Sequence, residues 1–260
     1  MACQLVADVG NTDTVFALAE LDGWEVHAHR RIRTLPERSA EECTVMLRRL
    51  LAARANELGP IRRAVIGSVV PACDAALRRA LGEVAEGPVL QLTGEAALPI
   101  RIDVENPGGV GADRIANSLR AWDRFGRDTI AVDLGTATTF DCVTAGGVFL
   151  GGAIAPGLRA GAEWLAERTA KLPRVDLVPP SEVIGRSTEA CIRSGVFHSA
   201  IGGVEAILER IRAEWVSAEP IVVATGGFSS TVGPLLSGVD RVEPLLTLEG
   251  LAIAGRYLSE

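Results

Sequence analysis

Apolar residues in this chain fall into short blocks separated by turn residues, and the blocks change period along the sequence. Residues 4–8 and 15–21 are apolar runs of strand length, with a further β-like run at 24–32, and predict three antiparallel strands. Ser39 then precedes Glu42 at capping-box spacing, and Val45, Leu47, Leu50 and Leu51 recur at helical intervals, which predicts a helix to about Leu58. Residues 64–70 read as a buried strand, 73–84 as a helix and 89–92 as another strand. After Asn106, Pro107 and a cluster of glycines, 112–122 has helical spacing, and 129–132 restarts the strand–turn–strand pattern. Gly146 and Gly147 predict a hairpin turn and a helix is expected after Gly157. One or two helices follow over 187–215, then a buried strand at 221–224 and a closing helix at 246–258. Two α/β halves result, 1–122 and 123–260. No low-complexity linker separates them, so they are expected to pack closely.

The halves begin alike. ADVGNTDT at 7–14 and AVDLGTATT at 131–139 are both apolar runs that end in Asp-x-Gly and continue into hydroxyl and small residues. Either copy alone is an ordinary Asp-Gly hairpin turn; two copies half a chain apart point to a duplicated fold. Gly10 and Gly135 permit a tight turn and close backbone approach to a phosphate. Exposed turn amides cradle oxyanions, and Asp8 and Asp133 can hold cations directly or through water.

Composition narrows the chemistry. The 260 residues are 48% hydrophobic, enough for a sizeable core, and the net charge of −7 argues against nucleic-acid and anionic-membrane partners. The first residues, MACQLVADVGNT, have no basic region and meet a carboxylate at Asp8, unlike a signal peptide, and no apolar run has transmembrane length. Cys3, Cys43, Cys73, Cys142 and Cys191 are scattered and form no C-x-x-C pair; small buried thiols in a reducing cytoplasm are expected. Lys171 is the only lysine among 26 basic residues, and it follows Ala170 rather than the glycine of a P-loop. Bound ATP would therefore be held by Asp, Thr, Gly and backbone amides.

Four constellations carry candidate chemistry. Asp8, Gly10, Asn11, Thr12 and Thr14 form one phosphate loop, in which Asn11 and Thr12 replace lysine as neutral donors; Asp133, Gly135, Thr136 and Thr138 form the second. IVVATGG at 221–227 runs a buried strand into Gly226 and Gly227, whose missing side chains suit flat apposition to an adenine ring. NPGGVGADRIAN at 106–117 leads a glycine-rich loop into a helix with Asp113 in its first turn. There the carboxylate is stabilised as a base by the helix terminus, or is simply good first-turn chemistry. Arg114 beside it is an anion anchor or a surface residue, and its place where the dinucleotide fingerprint has its third glycine argues against a Rossmann enzyme. On that helix Asn117, Arg120 and Arg124 share a polar face with Asp113, while Ile115, Leu119 and Trp122 are expected to pack inward. GGAIAPG at 151–157 reads as a domain-interface or ligand-contacting turn, or as a plain glycine–proline loop. Thr188 reads as a helix cap or a ligand contact, and the local sequence favours the cap.

DVGNTDTV at 8–15, NPGGVGADR at 106–114, DLGTATT at 133–139, GGAIAPG at 151–157, AKLPRV at 170–175 and TLEGL at 247–251 together resemble the type III pantothenate kinases, collinearly over essentially the whole chain. The resemblance implies the actin/sugar-kinase/heat-shock-protein-70 architecture: α/β, two duplicated ribonuclease-H-like domains with a nucleotide cleft between them. It implies ATP-dependent phosphorylation of pantothenate to 4′-phosphopantothenate, the first step of coenzyme A synthesis. Mg²⁺, a monovalent cation (K⁺ or NH₄⁺) and a homodimer come with it. By the same resemblance Asp8, Val9, Gly10, Asn11, Thr12, Asp13, Thr14, Val15 and Thr136 bind ATP, with Asp8 organising Mg²⁺ through water. Gly111, Ala112, Asp113, Arg114 and Thr188 bind pantothenate, Asp113 accepts its proton, and Asp133 holds the monovalent cation. The chain departs from the pattern at Val104, where many members carry tyrosine. Kinases of another small acceptor, and ATP-binding regulators without catalysis, are the alternatives the superfamily leaves open.

Overall fold

The computed structural model describes residues 2–52, 59–215 and 219–259. Strands β1 (Cys3–Val9), β2 (Asp13–Glu20) and β3 (Val26–Arg33) form an antiparallel meander. Helix α1 (Ala40–Ala52), strand β4 (Ile61–Ser68), helix α2 (Pro71–Gly82) and strand β5 (Val89–Leu92) follow. After β6 (Arg101–Ile102) and α3 (Ala112–Phe125) the sequence of elements begins again. Strands β7 (Thr129–Leu134), β8 (Ala137–Val143) and β9 (Val148–Pro156) lead to helices α4 (Leu158–Arg168) and α5 (Thr188–Glu214), then β10 (Ile221–Thr225), α6 (Ser229–Val232), β11 (Arg241–Val242) and α7 (Leu246–Tyr257). The first sheet runs β3-β2-β1-β4-β5 and the second β6-β9-β8-β7-β10-β11, whose last five strands repeat the order of the first. In each, a hairpin strand pairs antiparallel on one side and parallel on the other: β1 with β2 and β4, β7 with β8 and β10. The duplication expected from two Asp-x-Gly segments is thus a duplication of topology.

Contacts divide the chain into two units: 1–124 with 147–149 and 245–260, and 125–146 with 150–244. The expected division at 122/123 left the closing helix with the second half, whereas α7 packs on β1 and β4 of the first unit. The reason is its apolar surface, buried continuously from Leu246 to Gly255. In the first unit the period-2 alternation of β1 and β2 sends side chains to two cores. Leu5, Ala7, Val9, Phe16 and Leu18 meet Leu47 of α1 and Leu77 and Leu81 of α2. Val6, Val15, Ala17 and Ala19 meet Ile115 and Leu119 of α3 and Leu251 and Ile253 of α7. A sheet covered on both faces has strands that read as continuous apolar runs, as β1 and β4 do. In the second unit Ile130, Val132, Phe140 and Val222 pack on Leu158 of α4 and Phe197 and Leu208 of α5.

Local signals show in detail. Ser39 and Glu42 make the reciprocal capping box, Glu42 N to Ser39 Oγ at 3.2 Å and Ser39 N to Glu42 Oε2 at 2.8 Å. The predicted end of that helix, 53–58, lies outside the described residues. Residues 151–156 are not a loop: they are the second part of β9. Gly152, at φ +152°, lies so close to β8 that a Cβ would stand 1.6 Å from the Phe140 carbonyl oxygen, so the glycine is required by strand approach. Thr188–Glu214 form one helix, not two. Of the five thiols, Cys191 is exposed and the other four are buried; all are free.

Candidate active site

The first Asp-x-Gly turn closes with Gly10 N donating to the Asp13 carbonyl at 3.0 Å. Its shape is held from outside by Thr34, a residue that nothing in its local context singles out. Thr34 N donates to the Thr12 carbonyl at 2.9 Å and its hydroxyl to the Gly10 carbonyl at 2.7 Å. Thr14, 3% exposed, has its hydroxyl 2.9 Å from that of Thr34, so the two threonines brace the turn together. Asp13 accepts from Arg31 Nη1 at 3.1 Å. Val9 and Val15 point into the cores, leaving only their backbone to a ligand. Asn11 is exposed, Thr12 half-buried, and Asp8 half-buried one residue before the end of β1.

Helix α3 is brought to the same place within the first unit. Asp8 stands in register with Gly67 of β4. A Cβ on Gly67 would lie 3.3 Å from the Ala112 Cβ and 2.7 Å from Leu251 Cδ2, so glycine here lets the start of α3 approach the strand next to Asp8. Val69 N donates to the Val9 carbonyl at 3.0 Å, and Val69 Cγ1 lies 3.2 Å from where a Gly111 Cβ would be. Asp113 folds back over Gly111, its Oδ1 2.5 Å from that same point and accepting from Arg114 N at 2.8 Å. Burial pushes the Asp113 carboxyl above the usual carboxylate range, against the opposing pull of the Arg114 amide and guanidinium. That is the direction a general base requires. The Arg114 guanidinium lies over the Phe149 ring, 5.4 Å from its centroid, which orients it by a cation–π contact.

In the second unit Gly135 N donates to the Ala137 carbonyl at 3.1 Å, the counterpart of the Gly10 turn. Asp133 stands in register with Thr139 of β8 and Thr225 of β10. A Cβ on Gly226, whose φ is +90°, would lie 2.2 Å from Asp133 Oδ1, so the glycine backbone packs directly on this carboxylate. Gly157 packs as tightly on the turn: its Cβ would be 2.3 Å from the Thr136 carbonyl oxygen and 2.5 Å from that of Gly135. Asp133, Thr136, Gly157 and Gly226 are therefore gathered at one end of this sheet. The cap of α5 is Ser187, which accepts from Ala190 N at 3.2 Å; Thr188 is exposed in the first turn. The capping role that local sequence favoured for Thr188 thus belongs to its neighbour.

Of the polar face expected on α3, Arg124 is exposed but the middle is not in water. Asn117 is 0% and Arg120 2% exposed, and both are partnered by α7.

Two units of one topology, each ending its first strand in Asp-x-Gly, define the class: an actin-like ATPase fold of the kind sugar kinases use. In agreement, the structure of an inorganic polyphosphate/ATP-glucomannokinase from Arthrobacter matches with a TM-score of 0.54 at 16% identity, covering 100% of this chain and 99% of that one. Within that class, residues 4–210 match the family described as Type III pantothenate kinase. Proteins of that name from Moorella thermoacetica (41% identical; 96% of this chain, 97% of theirs) and Geobacter sulfurreducens (40%; 96% of both) are similar over nearly their whole length. The chain belongs to the type III pantothenate kinase family.

Proposed function

We propose that the chain transfers the γ-phosphoryl group of ATP to the primary hydroxyl of pantothenate, giving 4′-phosphopantothenate and ADP, with Asp113 as general base. The observation that carries the residue assignment is the junction at Gly67. It sets the first turn of α3, with a carboxyl whose proton affinity is raised by burial, against the strand end that carries Asp8. Asp113 takes the hydroxyl proton as the oxygen attacks phosphorus, and Arg114, steadied on Phe149, anchors the substrate carboxylate. The Gly10–Thr14 turn supplies neutral donors where other kinases use lysine.

Mg²⁺ fits this donor set. Among the described residues no three His, Cys, Asp or Glu side chains come together. An ion at Asp8 would rest on that carboxylate, water and nucleotide oxygens, as Mg²⁺ does in phosphoryl-transfer sites. When bound it neutralises charge on the phosphates. Asp133, packed beneath the Gly226 backbone, would hold K⁺ or NH₄⁺, with Thr136 toward ATP and Thr188 toward pantothenate.

A homodimer in the cytoplasm completes the reading. Trp164, Val183 and Ile184 of the second unit are 62%, 68% and 82% exposed, and a cavity of about 550 Å³ lined by Thr138, Pro156, Trp164 and Val196 opens beside Trp164. A second copy would cover this apolar surface. Among the described residues no helix is long and apolar enough to cross a membrane, and the net charge of −7 does not suit nucleic acid.

The test is ADP release with ATP, Mg²⁺ and pantothenate, with and without K⁺ or NH₄⁺, beside a panel of other small alcohols. Turnover that requires pantothenate and rises with the monovalent cation supports the reading. ATP binding with no acceptor-dependent turnover, or preference for another acceptor, sinks it.

A further inference from the structure

The motif TLEGL at 247–251 opens α7 and has no part in the mechanism above. In the first unit its residues grip α3 in three ways. The Thr247 hydroxyl donates to Asn117 Oδ1 at 2.7 Å, fully buried. Glu249 Oε2 accepts from Arg120 Nε at 2.7 Å and lies 3.8 Å from Arg124 Nη1. Gly250 lies against the helix backbone itself: a Cβ there would be 2.0 Å from the Ala116 carbonyl oxygen. Arg120 is further fixed by Asp123 at 2.8 Å and by the Trp24 ring, 4.0 Å from its guanidinium carbon.

The gripped residues are 116, 117 and 120, which follow Asp113 at +3, +4 and +7 and so lie on its face of the helix, within two turns of it. An interface of Ile115 and Leu119 alone would tolerate sliding, because apolar contacts are non-directional. Each of the three contacts with α7 is specific to one register. A slip of one residue, about 1.5 Å along the axis, would strand a buried amide and a buried guanidinium and drive the Gly250 backbone past Ala116. Buried polar pairs serve best where a register must be unique. We propose that Thr247, Glu249 and Gly250 are positioning residues for phosphoryl transfer: they fix the axial register of α3, and through it the point at which the Asp113 carboxylate meets the acceptor hydroxyl. The inference rests on the reading of Asp113 as the base.

Steady-state ADP release by the full chain tests it, with kcat and both KM values measured on Thr247→Val, Thr247→Ser, Gly250→Ala and Asp113→Asn. Since a misplacement of about 1 Å costs roughly 10²-fold, Thr247→Val is expected to lower kcat about tenfold and Gly250→Ala about a hundredfold. The KM for ATP should stay within about twofold, and Thr247→Ser should restore kcat, because it keeps the hydroxyl. Circular dichroism at the assay temperature confirms that the folded fraction is unchanged; if Gly250→Ala does not fold, Thr247→Val decides. In an Asp113→Asn background Thr247→Val should add nothing to the residual rate, because it acts through that carboxylate. Native kcat in Thr247→Val, equal impairment by Val and Ser, or full multiplication of the two losses would overturn the proposal. Failure of the base assignment looks different: Asp113→Asn alone would then keep its turnover.

Discussion

Replacing Asp113 by asparagine separates what this residue does for the reaction from what it does to the fold. Asparagine keeps the shape over Gly111 and an Oδ1 that accepts from Arg114 N, now at 2.8 Å, but it cannot take a proton. Loss of a general base costs about 10²–10⁴-fold in rate, roughly 3–5 kcal/mol in the barrier at 1.36 kcal/mol per decade. The fold should respond the other way. Burial is the largest influence on this carboxyl and raises its pKa in the folded protein. The folded state therefore holds the proton more tightly than the unfolded chain does. Its contribution to stability is complete below the unfolded value, near 3.9 for aspartate, and is lost as pH rises through the folded value. At neutral pH the ionised carboxylate is a net cost that asparagine removes, so the variant should melt higher than wild type at pH 7, and the gain should vanish toward pH 4. In the wild type, kcat/KM should fall on acidification with its limb above the ordinary carboxylate range. Coupled ADP release across pH, with thermal melts of both proteins, measures all three. A variant that keeps turnover within about threefold, or melts lower at pH 7, refutes the reasoning.

Other changes probe the supports around it. Thr34→Val removes the donor to the Gly10 carbonyl and the partner of Thr14; it should cost about 1 kcal/mol in a thermal melt and raise the KM for ATP more than it lowers kcat. Glu249→Ala strands Arg120, whose side chain is 3% exposed, and urea unfolding should show a loss of about 3 kcal/mol, the low end for a broken buried pair because Asp123 remains; a loss under about 1 would contradict this. Gly226→Ala forces a Cβ toward Asp133 at a φ of +90°; it should lose roughly 1–3 kcal/mol to backbone strain and require more K⁺ for half-maximal ADP release.

What could be read from the sequence was local or repeated. The strand–turn–strand copies, the capping box at Ser39 and the helical entry at Asp113 are each set by residues a few positions apart, and the structure has all of them. What could not be read depends on distant partners. Asn117 and Arg120 looked like a solvated face because their partners, Thr247 and Glu249, lie about half a chain further on. Thr34 is an unremarkable residue after a strand until the fold lays it beside the Gly10 turn. Residues 151–156 have a loop's composition, yet β9 needs Gly152 because β8 passes too close for any side chain. In the same way α7 follows the second set of strands but packs with the first, a choice made by surface complementarity rather than chain order.

That last placement gives the duplication its asymmetry. Helix α3 comes after the five strands of the first sheet, with the short edge strand β6 between, and α7 comes after β11, so by chain order they are counterparts. Both are in the first unit, sharing one core on the face of its sheet opposite α1 and α2. A symmetric pair would carry the same chemistry twice. Here one copy presents Asp113 and Arg114 at its first turn, while the first turns of the other hold Thr247, Glu249 and Gly250. A first turn is where a carboxylate is both stabilised by the helix terminus and able to reach a ligand. It is also the part of a helix least constrained by its own hydrogen bonds, since its leading amides have no partner within the helix. The reacting helix therefore needs its position set from outside, and its counterpart supplies that through contacts with 116, 117 and 120 rather than with the reacting turn itself. Position is fixed where burial makes it firm, and Asp113 stays at the end of the helix, where a substrate hydroxyl can reach it.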